Sequence, residues 1–390
     1  MTQQPRIALV GNLANVAYQT CKFLRQKGVR ADVFVYEMDL ASPPSNPETE
    51  DPGILRNPPA WLRIVRQFAR SEGDWMHSPL SRLHSSAGNR ISNLRLFLML
   101  RRYDVIESFC CAPWFVPFVG RPYIAFATGS DLRELALEDT PKGRHARSIF
   151  QHAQIVLFGP DSGHLDAVRQ LRLSGSYPCR QIIDTDFYAP NPGWRRQTAE
   201  TLLIFHPSRL DWTYSGQGHW IKGNDRLFRA FARLVKEGHG ARLFYLERGD
   251  DIEATRRLVT ELGIAQNVDI YSGEMTREQL CHYYNFADVV ADQFCIGLGR
   301  IGLEAMSCGR PVLVSLDARA TDLCYEEAPP VLNCKTEDEI YARLKSALDP
   351  EYRERIGQKA REWIMKYHRA QRVVDNLIWH FETVLGRRVV

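Results

Sequence analysis

Short apolar runs alternate with helix-like segments along most of the chain. The stretch "RIALVG" (6–11) predicts a strand, and "ANVAYQTCKFLRQKG" (14–28) predicts an amphipathic helix that stops at Gly28. Further strands are predicted at 31–37, 103–109, 122–128 and 153–159. Alternation of this kind is typical of an α/β protein, in which helices cover both faces of a parallel sheet.

The alternation pauses once and then starts again. A passage rich in Pro and Asn, "DTDFYAPNPGWRRQ" (184–197), is typical of a linker. After it, strands are predicted at 201–209, 241–249, 267–275 and 287–294, with helices between them at 224–238, 251–263 and 276–286. The pattern therefore predicts two α/β domains joined near residue 184, with a ligand-binding cleft where the carboxyl ends of their strands face each other.

Composition narrows the class of protein. A chain of 390 residues, 44% of them hydrophobic, suits two domains of ordinary size, and a net charge of +4 argues against a dedicated nucleic-acid binder. The nine cysteines are scattered and no C-x-x-C occurs, so neither a disulfide framework nor a zinc site is expected. The sequence has no apolar stretch of about eighteen residues and starts without a signal peptide, which predicts a cytoplasmic protein.

The most informative motif is "CIGLGRIGLEAMSCGRPVLVSLD" (295–317). Gly297, Gly299 and Gly302 form G-x-G-x-x-G, and Asp317 follows at the distance typical of a dinucleotide-binding fold. Glycines let a ligand approach the backbone closely, and the N–H groups at a helix start bind phosphate. The motif therefore predicts a phosphate ligand.

The position of this motif argues against NAD. A dinucleotide-binding glycine follows the first strand of its domain, whereas several strand–helix units precede Gly297 here. The helix that follows is also short, because it is expected to run from Arg300 to Ser307, where Gly309 and Pro311 end it. A nucleoside diphosphate fits better, and a glycine-rich turn that only packs the helix on the sheet is the alternative.

The segment "GLGRIGLEAMSCGRPVLV" (297–314) resembles the nucleotide-binding segment of GT-B glycosyltransferases, in particular those of the retaining family 4. Four other segments are similar to motifs of that family, in the same order: 127–136, 179–190, 206–231 and 262–294. The resemblance implies two Rossmann-like domains facing a central cleft. They are an acceptor-side domain at 1–184, on which a C-terminal helix at 372–390 packs back, and a nucleotide-sugar-binding domain at 185–371.

The resemblance assigns two cations to the donor's diphosphate. Arg209 and Lys222 match the family's pair, which stabilises the negative charge of the leaving diphosphate without a metal. The donor is then a UDP- or GDP-sugar, and no further cofactor is expected. No His/Cys/Asp/Glu cluster has metal-ligand spacing. The alternative for both cations is ordinary surface charge.

Other donor contacts are implied by the same motifs. Glu304 resembles the family glutamate that binds the ribose hydroxyls, and its alternative is an exposed helix charge. The turn at 272–275 corresponds to the loop that meets the base. The remaining residues assigned to the donor lie in this turn and around the glycine motif: Gly273, Met275, Gln293, Gly297, Leu298, Gly299 and Arg300.

Two departures from the family pattern concern the sugar and the catalytic residues. Ile296 stands where the family has a second glutamate that holds the donor sugar, and Asp292 or Gln293 are candidates to replace it. Thr128 stands where the family often has histidine. It is included among the predicted catalytic residues with Asp131, which either positions the acceptor or caps the helix that follows it.

Further expectations concern the first domain. Asn12 and Asn15 are candidates to contact the donor phosphate or the acceptor, with helix capping as the rival interpretation. The segment "PPAWLRIVRQFAR" (58–70) has the spacing of a basic amphipathic helix, which predicts either core packing or a peripheral contact with the inner face of the membrane. A buried helix is predicted within 92–106.

The sequence therefore predicts a retaining glycosyltransferase that moves a sugar from a nucleotide-diphosphate-sugar donor to a glycan, lipid-linked or small-molecule acceptor. Two alternatives stay open. One is a catalytically inactive GT-B protein that binds a nucleotide or a partner protein, which the residues Ile296 and Thr128 permit. The other is a GT-B nucleotide-sugar epimerase.

Overall fold

The computed structural model describes residues 4–36, 76–80, 86–111, 113–196, 200–213, 221–273 and 275–390. The segment 58–70, with its predicted amphipathic helix, lies outside them. The chain divides into two compact units: Met1–Ile182 with Ala370–Val390 form the first, and Ile183–Arg369 form the second. The domain boundaries expected from the sequence lie two residues further along at both crossings between the units.

In the described part of the first unit, seven parallel strands form one sheet, in the order β3-β2-β1-β4-β5-β6-β7. The strands Val105–Phe109, Tyr123–Phe126 and Ile155–Phe158 are buried along their whole length, as is usual where helices cover both faces of a parallel sheet. The strands are β1 (Arg6–Val10), β2 (Arg30–Tyr36), β3 (Met76–Leu80), β4 (Val105–Phe109), β5 (Tyr123–Phe126), β6 (Ile155–Phe158) and β7 (Ser176–Pro178).

The helices of the first unit connect these strands. They are α1 (Val16–Gln26), α2 (Ser86–Leu100), α3 (Ser130–Arg133), α4 (Pro141–His152) and α5 (Ser162–Gln170), with short 3-10 helices at Leu13–Asn15, Val116–Phe118 and Leu135–Leu137. The prediction of a buried helix within 92–106 is wrong for one face of α2. Leu96 and Leu100 are buried, but Leu94 and Leu98 are exposed, because only one face of this helix packs on the core.

The described second unit repeats the architecture with six parallel strands in the order β10-β9-β8-β11-β12-β13. Its strands are β8 (Leu202–His206), β9 (Ala241–Glu247), β10 (Val268–Ser272), β11 (Val289–Ala291), β12 (Val312–Val314) and β13 (Leu332–Asn333). Its helices are α6 (Asn224–Lys236), α7 (Ile252–Leu262), α8 (Arg277–Phe286), α9 (Arg300–Ser307), α10 (Ala318–Cys324), α11 (Glu337–Ser346) and α12 (Pro350–Tyr367), with 3-10 helices at Pro192–Trp194 and Ala265–Asn267.

Helix α9 has the length that the glycine motif predicts. It ends because Gly309 adopts a left-handed φ of +71°, and the Gly309 N–H donates to the Met306 carbonyl oxygen (3.0 Å). The next N–H, that of Arg310, donates to the Ala305 carbonyl oxygen (3.1 Å), so two carbonyl groups of the last turn are satisfied. Pro311 then leads directly into β12.

The C-terminal helix expected at 372–390 is α13 (Ala370–Leu385). Its residues Leu377 and Phe381 belong to the hydrophobic core that also contains residues of α1, β1 and β4, so this helix packs on the first unit as expected. Trp363, only a few residues earlier on α12, belongs instead to a core of the second unit. The apolar pattern near the C-terminus therefore serves two separate cores.

Candidate functional site

The carboxyl ends of β8 and β9 lead into two loops that are bonded to each other. The Leu210 N–H donates to the Arg248 carbonyl oxygen (2.7 Å), and the Asp251 N–H donates to the Leu210 carbonyl oxygen (2.9 Å). Gly249 permits this approach, because its φ is +113° and a Cβ there would stand 2.6 Å from the Leu210 nitrogen. The loops thus place Arg209 and Arg248 at the edge of the sheet where α/β folds bind ligands.

Lys222 is bonded to two loops at the same edge of the sheet. Its backbone N–H donates to the Asp211 carbonyl oxygen (2.6 Å), and its carbonyl oxygen accepts from the Phe294 N–H (2.7 Å). Its side-chain Nζ donates to Gln293 Oε1 (2.5 Å). Lys222 therefore ties the loop after β8 to the loop after β11, and its ammonium group is held in one position.

Four charged groups act on the Lys222 ammonium. Burial lowers the pKa of Lys222 below its usual value; Asp292 and Asp211 raise it, and Arg209 and Arg248 lower it further. The cations Arg209, Lys222 and Arg248 therefore lie within electrostatic range of one another, with two carboxylates among them. Such a cluster favours a ligand that brings additional negative charge.

Arg209 is oriented by Asp211. Its Nε and Nη2 atoms donate to Asp211 Oδ2 (2.8 and 2.5 Å), and Asp211 Oδ1 in turn accepts from the Asp250 N–H (3.0 Å). The Arg209 side chain is 42% exposed, whereas the Asp211 side chain is buried. The guanidinium is therefore positioned by a buried carboxylate and still reaches solvent, as an arginine that binds a ligand requires.

The glycine motif is organised by Asp292. Its Oδ2 accepts from the Gly299 N–H (2.7 Å) and its Oδ1 from the Ser208 hydroxyl (3.2 Å). Burial raises the pKa of Asp292 above its usual value, although the charge of Lys222 and the N–H groups of Gly299 and Gly302 lower it. Asp292 therefore links the start of α9 to the loop after β8, and replacement of the family glutamate by Asp292 or Gln293 stays a prediction.

Close packing around the motif requires glycine at two of its positions, independently of any ligand. A Cβ at Gly299 would stand 3.0 Å from Asp292 Oδ2, and one at Gly302 would stand 2.5 Å from Leu298 Cδ1 and 2.9 Å from the same carboxylate oxygen. Gly297 has a φ of +102°, and its carbonyl oxygen accepts from Gln293 Nε2 (2.8 Å). The packing alternative thus explains the glycines, whether or not a phosphate binds.

The start of α9 is less available to a phosphate than its sequence predicts. Asp292 accepts from the N–H groups of Gly299 and Gly302, so part of the helix start is occupied. Its negative charge also interacts favourably with the positive end of the helix dipole. Asp292 therefore takes part of the helix start, and phosphate binding at this end of α9 stays a prediction.

Glu304 lies inside the second unit on α9. Its Oε1 accepts from Arg300 Nε (2.8 Å), and its Oε2 accepts from the Tyr284 hydroxyl (3.2 Å). The alternative of an exposed helix charge is wrong, since only 5% of Glu304 is exposed. Its contact with ribose hydroxyls stays a prediction, in which the ligand shares the carboxylate with Arg300 and Tyr284.

The turn after β10 adjoins an ion pair that the sequence motifs do not single out. Glu247, at the end of β9, accepts from Arg256 Nε and Nη2 (both 2.6 Å) and from the Ser272 hydroxyl (2.8 Å). These bonds, with Arg256 first, hold the pKa of Glu247 below its usual value. Gly273 follows with a φ of +117°, and Met275 is buried. Residue 274 lies outside the described residues, and the contacts of Gly273 and Met275 with a base stay predictions.

In the first unit, Asp131 closes the turn before α3. Its Oδ1 accepts from the N–H groups of Gly129 (2.8 Å) and Thr128 (3.1 Å). The interpretation of Asp131 as a helix cap is wrong, because Gly129 is the N-cap of this four-residue helix and Asp131 lies within its first turn. The catalytic roles of Thr128 and Asp131 stay predictions, and the carboxylate already binds the backbone.

The two asparagines of the first unit differ. Asn12 Oδ1 accepts from the Tyr18 N–H (2.8 Å) in the first turn of α1, and Asn12 Nδ2 donates to Asn15 Oδ1 (3.3 Å). Asn12 therefore caps α1 from outside the helix, as the rival interpretation holds. Asn15 is the N-cap, with a φ of 61°, but forms no cap bond, and its buried Nδ2 has no partner among the described residues. A ligand contact for Asn15 stays a prediction.

Several predicted donor residues thus lie together in the second unit: Arg209, Lys222, Gln293, Gly297 and Gly299. Sequence reasoning missed the residues that organise them, which are Ser208, Asp211 and Arg248. A signal was available, because each of these polar residues follows a buried strand at its carboxyl end.

Two kinds of feature are missing from the part of the chain that the structure describes. No group of three or more His, Cys, Asp or Glu side chains is arranged to hold a metal ion. No helix there is both long and apolar enough to cross a membrane.

Solved structures share this fold over nearly the whole chain. A glycosyltransferase from Rickettsia africae ESF-5 has a TM-score of 0.67 at 12% identity, covering 98% of this chain and 99% of that one. A sucrose-phosphate synthase from Thermosynechococcus elongatus has a TM-score of 0.65 at 14% identity, with the same coverage of both chains. Identities this low show the fold alone. Together with the two parallel α/β units and the position of α13, they define the GT-B class.

Sequence comparison is more specific for the second unit. Residues 208–363 match the family described as Glycosyl transferases group 1. A GDP-mannose-dependent alpha-(1-6)-phosphatidylinositol monomannoside mannosyltransferase of Mycolicibacterium smegmatis is 26% identical over 199 residues, which are 47% of this chain and 50% of that protein. Residues 208–363 therefore match a group 1 glycosyltransferase domain in a chain whose fold is GT-B, and the aligned region spans about half the length of the curated relatives.

Proposed function

We propose that this chain transfers a sugar from a nucleoside-diphosphate sugar to an acceptor, with retention of the anomeric configuration and without a metal. The observation that carries the proposal is the cluster of Arg209, Lys222 and Arg248, which lies inside the segment that matches Glycosyl transferases group 1. The curated relatives are named as GDP-mannose-dependent mannosyltransferases, so GDP-mannose is the first donor to test.

The proposed chemistry needs positive charge at the leaving group. When the bond from the anomeric carbon to the diphosphate breaks, negative charge grows on the diphosphate oxygens. Preorganised cations bind this state more strongly than they bind the intact donor, which lowers the barrier. Arg209 presents a planar fork of N–H donors to such oxygens, and Lys222 adds a compact point charge.

Asp292 prepares Lys222 for this role. Burial lowers the pKa of Lys222, and the Asp292 carboxylate opposes that effect. The diphosphate would add negative charge next to the ammonium and favour its protonated form further. We therefore expect Lys222 to be charged whenever the donor is bound.

Release of free sugar without an acceptor measures the bond cleavage directly. Arg209→Ala and Lys222→Ala are each expected to slow hydrolysis of the preferred donor by about 10²- to 10³-fold, the usual effect of removing one preorganised group that stabilises developing negative charge. Lys236→Ala removes an exposed cation of α6 in the same unit and should leave the rate unchanged. An unaltered rate in both site variants would remove these cations from the mechanism.

Nucleotide binding and stereochemistry are separate readouts. A ligand that binds the folded state raises the melting temperature by mass action, so GDP, UDP, ADP, CMP and NAD are compared by thermal shift. A shift with NAD alone would contradict the proposal. Binding of a nucleoside diphosphate with no sugar release from any donor would favour the catalytically inactive protein. The anomeric configuration of the first-formed product, read by NMR, tests retention.

A further inference from the structure

A surface of the first unit has no part in the proposed chemistry but exposes four large apolar side chains. Leu94 is 60% exposed, Leu98 55%, Trp114 53% and Phe118 67%. Leu94 and Leu98 lie one turn apart on α2, whereas Trp114 and Phe118 lie in the segment that contains the 3-10 helix Val116–Phe118. Together these four residues form the apolar patch.

Ring contacts join the two halves of the apolar patch. Phe97 of α2 packs edge-on against Phe115, with ring centroids 5.9 Å apart. The Trp114 ring packs edge-on against Phe115 as well, at 5.6 Å. Residues three and four apart on a helix share one face, so Phe97 lies on the same side of α2 as Leu94. The exposed leucines and the exposed aromatic rings therefore belong to one continuous surface.

Arginines adjoin the apolar patch on α2 and just beyond it. Arg95, Arg101, Arg102 and Arg121 are exposed. The Arg121 guanidinium donates to the Arg101 carbonyl oxygen (2.7 and 3.0 Å), which brings Arg121 to the C-terminal end of α2. Within the described ranges, none of these four arginines forms an ion pair.

The far side of the apolar patch has charges of both signs. The Trp114 ring lies 6.1 Å from the His145 ring of α4. Near the start of α4, Lys142 and Glu138 are exposed, and Asp139 forms an ion pair with Arg144 (2.9 Å). Positive charge is therefore concentrated at the α2 side of the patch.

This combination favours one kind of partner. Exposed Trp, Phe and Leu side chains gain free energy by entering the boundary between lipid headgroups and acyl chains, and arginines beside them bind lipid phosphates. A second copy of the chain is the rival occupant, because a twofold contact through the patch would place the arginines of each copy against the far side of the other, where Lys142 and Glu138 supply charges of both signs. An anionic lipid surface satisfies the apolar and the cationic groups together, because it supplies acyl chains and negative charge over its whole area.

We propose that the apolar patch and its four arginines dock on an anionic lipid membrane, with Trp114 and Phe118 at the level of the headgroups. The docking surface uses residues other than those of 58–70. It also goes beyond the proposed function, because membrane docking of this kind needs neither a donor nor an acceptor.

Vesicle co-sedimentation of the full chain tests the proposal. Binding is expected to vesicles of phosphatidylcholine with phosphatidylglycerol, and it should weaken as salt is added because salt screens charge. Trp114→Ala and Phe118→Ala should each weaken the partition coefficient about tenfold, the effect of one large apolar side chain. Arg101→Gln and Arg102→Gln should each weaken it about fivefold, and they should have no effect on vesicles of phosphatidylcholine alone.

Matched variants distinguish docking through the apolar patch from non-specific adsorption of exposed apolar side chains to lipid. Ile270→Ala and Leu323→Ala remove side chains of the second unit with similar exposure, 48% and 49%, and should leave binding unchanged. Trp114→Phe should still bind, but the quenching of tryptophan fluorescence by brominated lipid should fall. The substituted side chains are exposed, so melting temperatures should match the parent. Nucleoside-diphosphate binding is measured independently, so failure of docking leaves the proposed function standing.

Two results would overturn the proposal. One is that vesicles of phosphatidylcholine with phosphatidylglycerol do not distinguish the parent from Trp114→Ala and Phe118→Ala, whether because none of them binds or because all bind equally. The other is self-association: if light scattering shows a dimer that the patch variants convert to a monomer, the occupant of the patch is a second copy of this chain.

Discussion

Glu107 lies in the middle of β4, on the face that it shares with Val105 and Phe109. Side chains alternate along a strand, so all three point into the core that α1 and α13 cover. Both carboxylate oxygens of Glu107 are buried without a hydrogen-bond partner among the described residues. Burial raises the pKa of Glu107 to about 8, so near neutral pH the folded chain holds this side chain mainly in its uncharged form.

The raised pKa of Glu107 predicts how stability depends on pH. The unfolded chain loses the Glu107 proton near its ordinary pKa of 4.5, whereas the folded chain keeps it up to about 8. The contribution of the protonated Glu107 to the free energy of unfolding is therefore fully present below pH 4.5 and is lost as pH rises from there through about 8. Glu107→Gln has no such proton, so its advantage over the parent should grow between about pH 5 and about pH 8, by on the order of a few kcal/mol.

Urea unfolding across that pH range measures the effect of Glu107→Gln on the free energy of unfolding. The slope against pH is the diagnostic, because the amide's own burial adds an offset that does not change with pH. Glu261→Gln, an exposed position of α7, serves as the control and should follow the parent curve. Parallel curves for the parent and Glu107→Gln would show that Glu107 titrates normally in the folded chain.

At the scale of elements, Asp292 couples the start of α9 electrostatically to the connection between β8 and α6. Asp292, just after β11, binds the N–H group at the start of α9 and the Ser208 hydroxyl from the loop after β8. It also raises the pKa of Lys222, which lies just before α6. Two connections of the sheet, from β8 to α6 and from β11 to α9, therefore meet at one carboxylate.

Asp292→Asn tests this coupling. The substitution removes a negative charge that favours the protonated Lys222, so Lys222 should lose its proton at lower pH. The alkaline limb of the pH profile of sugar release is then expected to shift to lower pH. Ser208→Ala removes a neutral partner of the same carboxylate and should leave that limb in place. A limb that stays fixed in Asp292→Asn would mean that another group controls it.

At the scale of the whole molecule, the last helix completes the first unit. The chain leaves that unit after Ile182 and returns at Ala370, and α13 supplies Leu377 and Phe381 to the core with α1 and β4. Residues at the two ends of the sequence therefore hold one core together. The second unit, Ile183–Arg369, has cores formed by its own residues.

Phe381→Ala is expected to weaken the first unit selectively. Truncating a buried Phe costs about 3–5 kcal/mol, so hydrogen exchange in β1 and β4 should accelerate while exchange in β8 and β11 is retained. Asp375 lies on the same helix as Phe381 and forms an exposed ion pair with Lys27. Asp375→Ala, the control, should therefore change hydrogen exchange little. Equal loss of protection in both units would show that they unfold as one cooperative body.

Local pattern predicted much of the architecture. The apolar runs marked β1, β4, β6 and β8, because a strand buried on both faces of a parallel sheet has to be apolar along its length. Glycines marked helix ends, as with Gly28 after α1 and Gly309 after α9. The lengths of the shortest strands were overestimated, since β11 extends over only Val289–Ala291 and pairing with neighbours decides where a strand ends.

The candidate site was predicted only in part. Motif spacing led to Arg209, Lys222 and Glu304, whose positions along the chain are local information. It did not lead to Arg248 or to the role of Asp292, because their contacts join loops that follow different strands. The glycines were interpreted as a phosphate signal, although the carboxylate beside Gly299 and Gly302 already requires them.

The sequence by itself determined the order and kind of the elements and the motif of glycines, cations and carboxylates. These follow from periodicity, capping and spacing, which are properties of neighbouring residues. The tertiary structure alone decided that the Glu107 carboxylate has no hydrogen-bond partner among the described residues, that Asp292 accepts from the Gly299 N–H at the start of α9, and that Leu94 and Leu98 face solvent. Burial and pairing depend on every element packed around a side chain, and those elements come from distant parts of the chain.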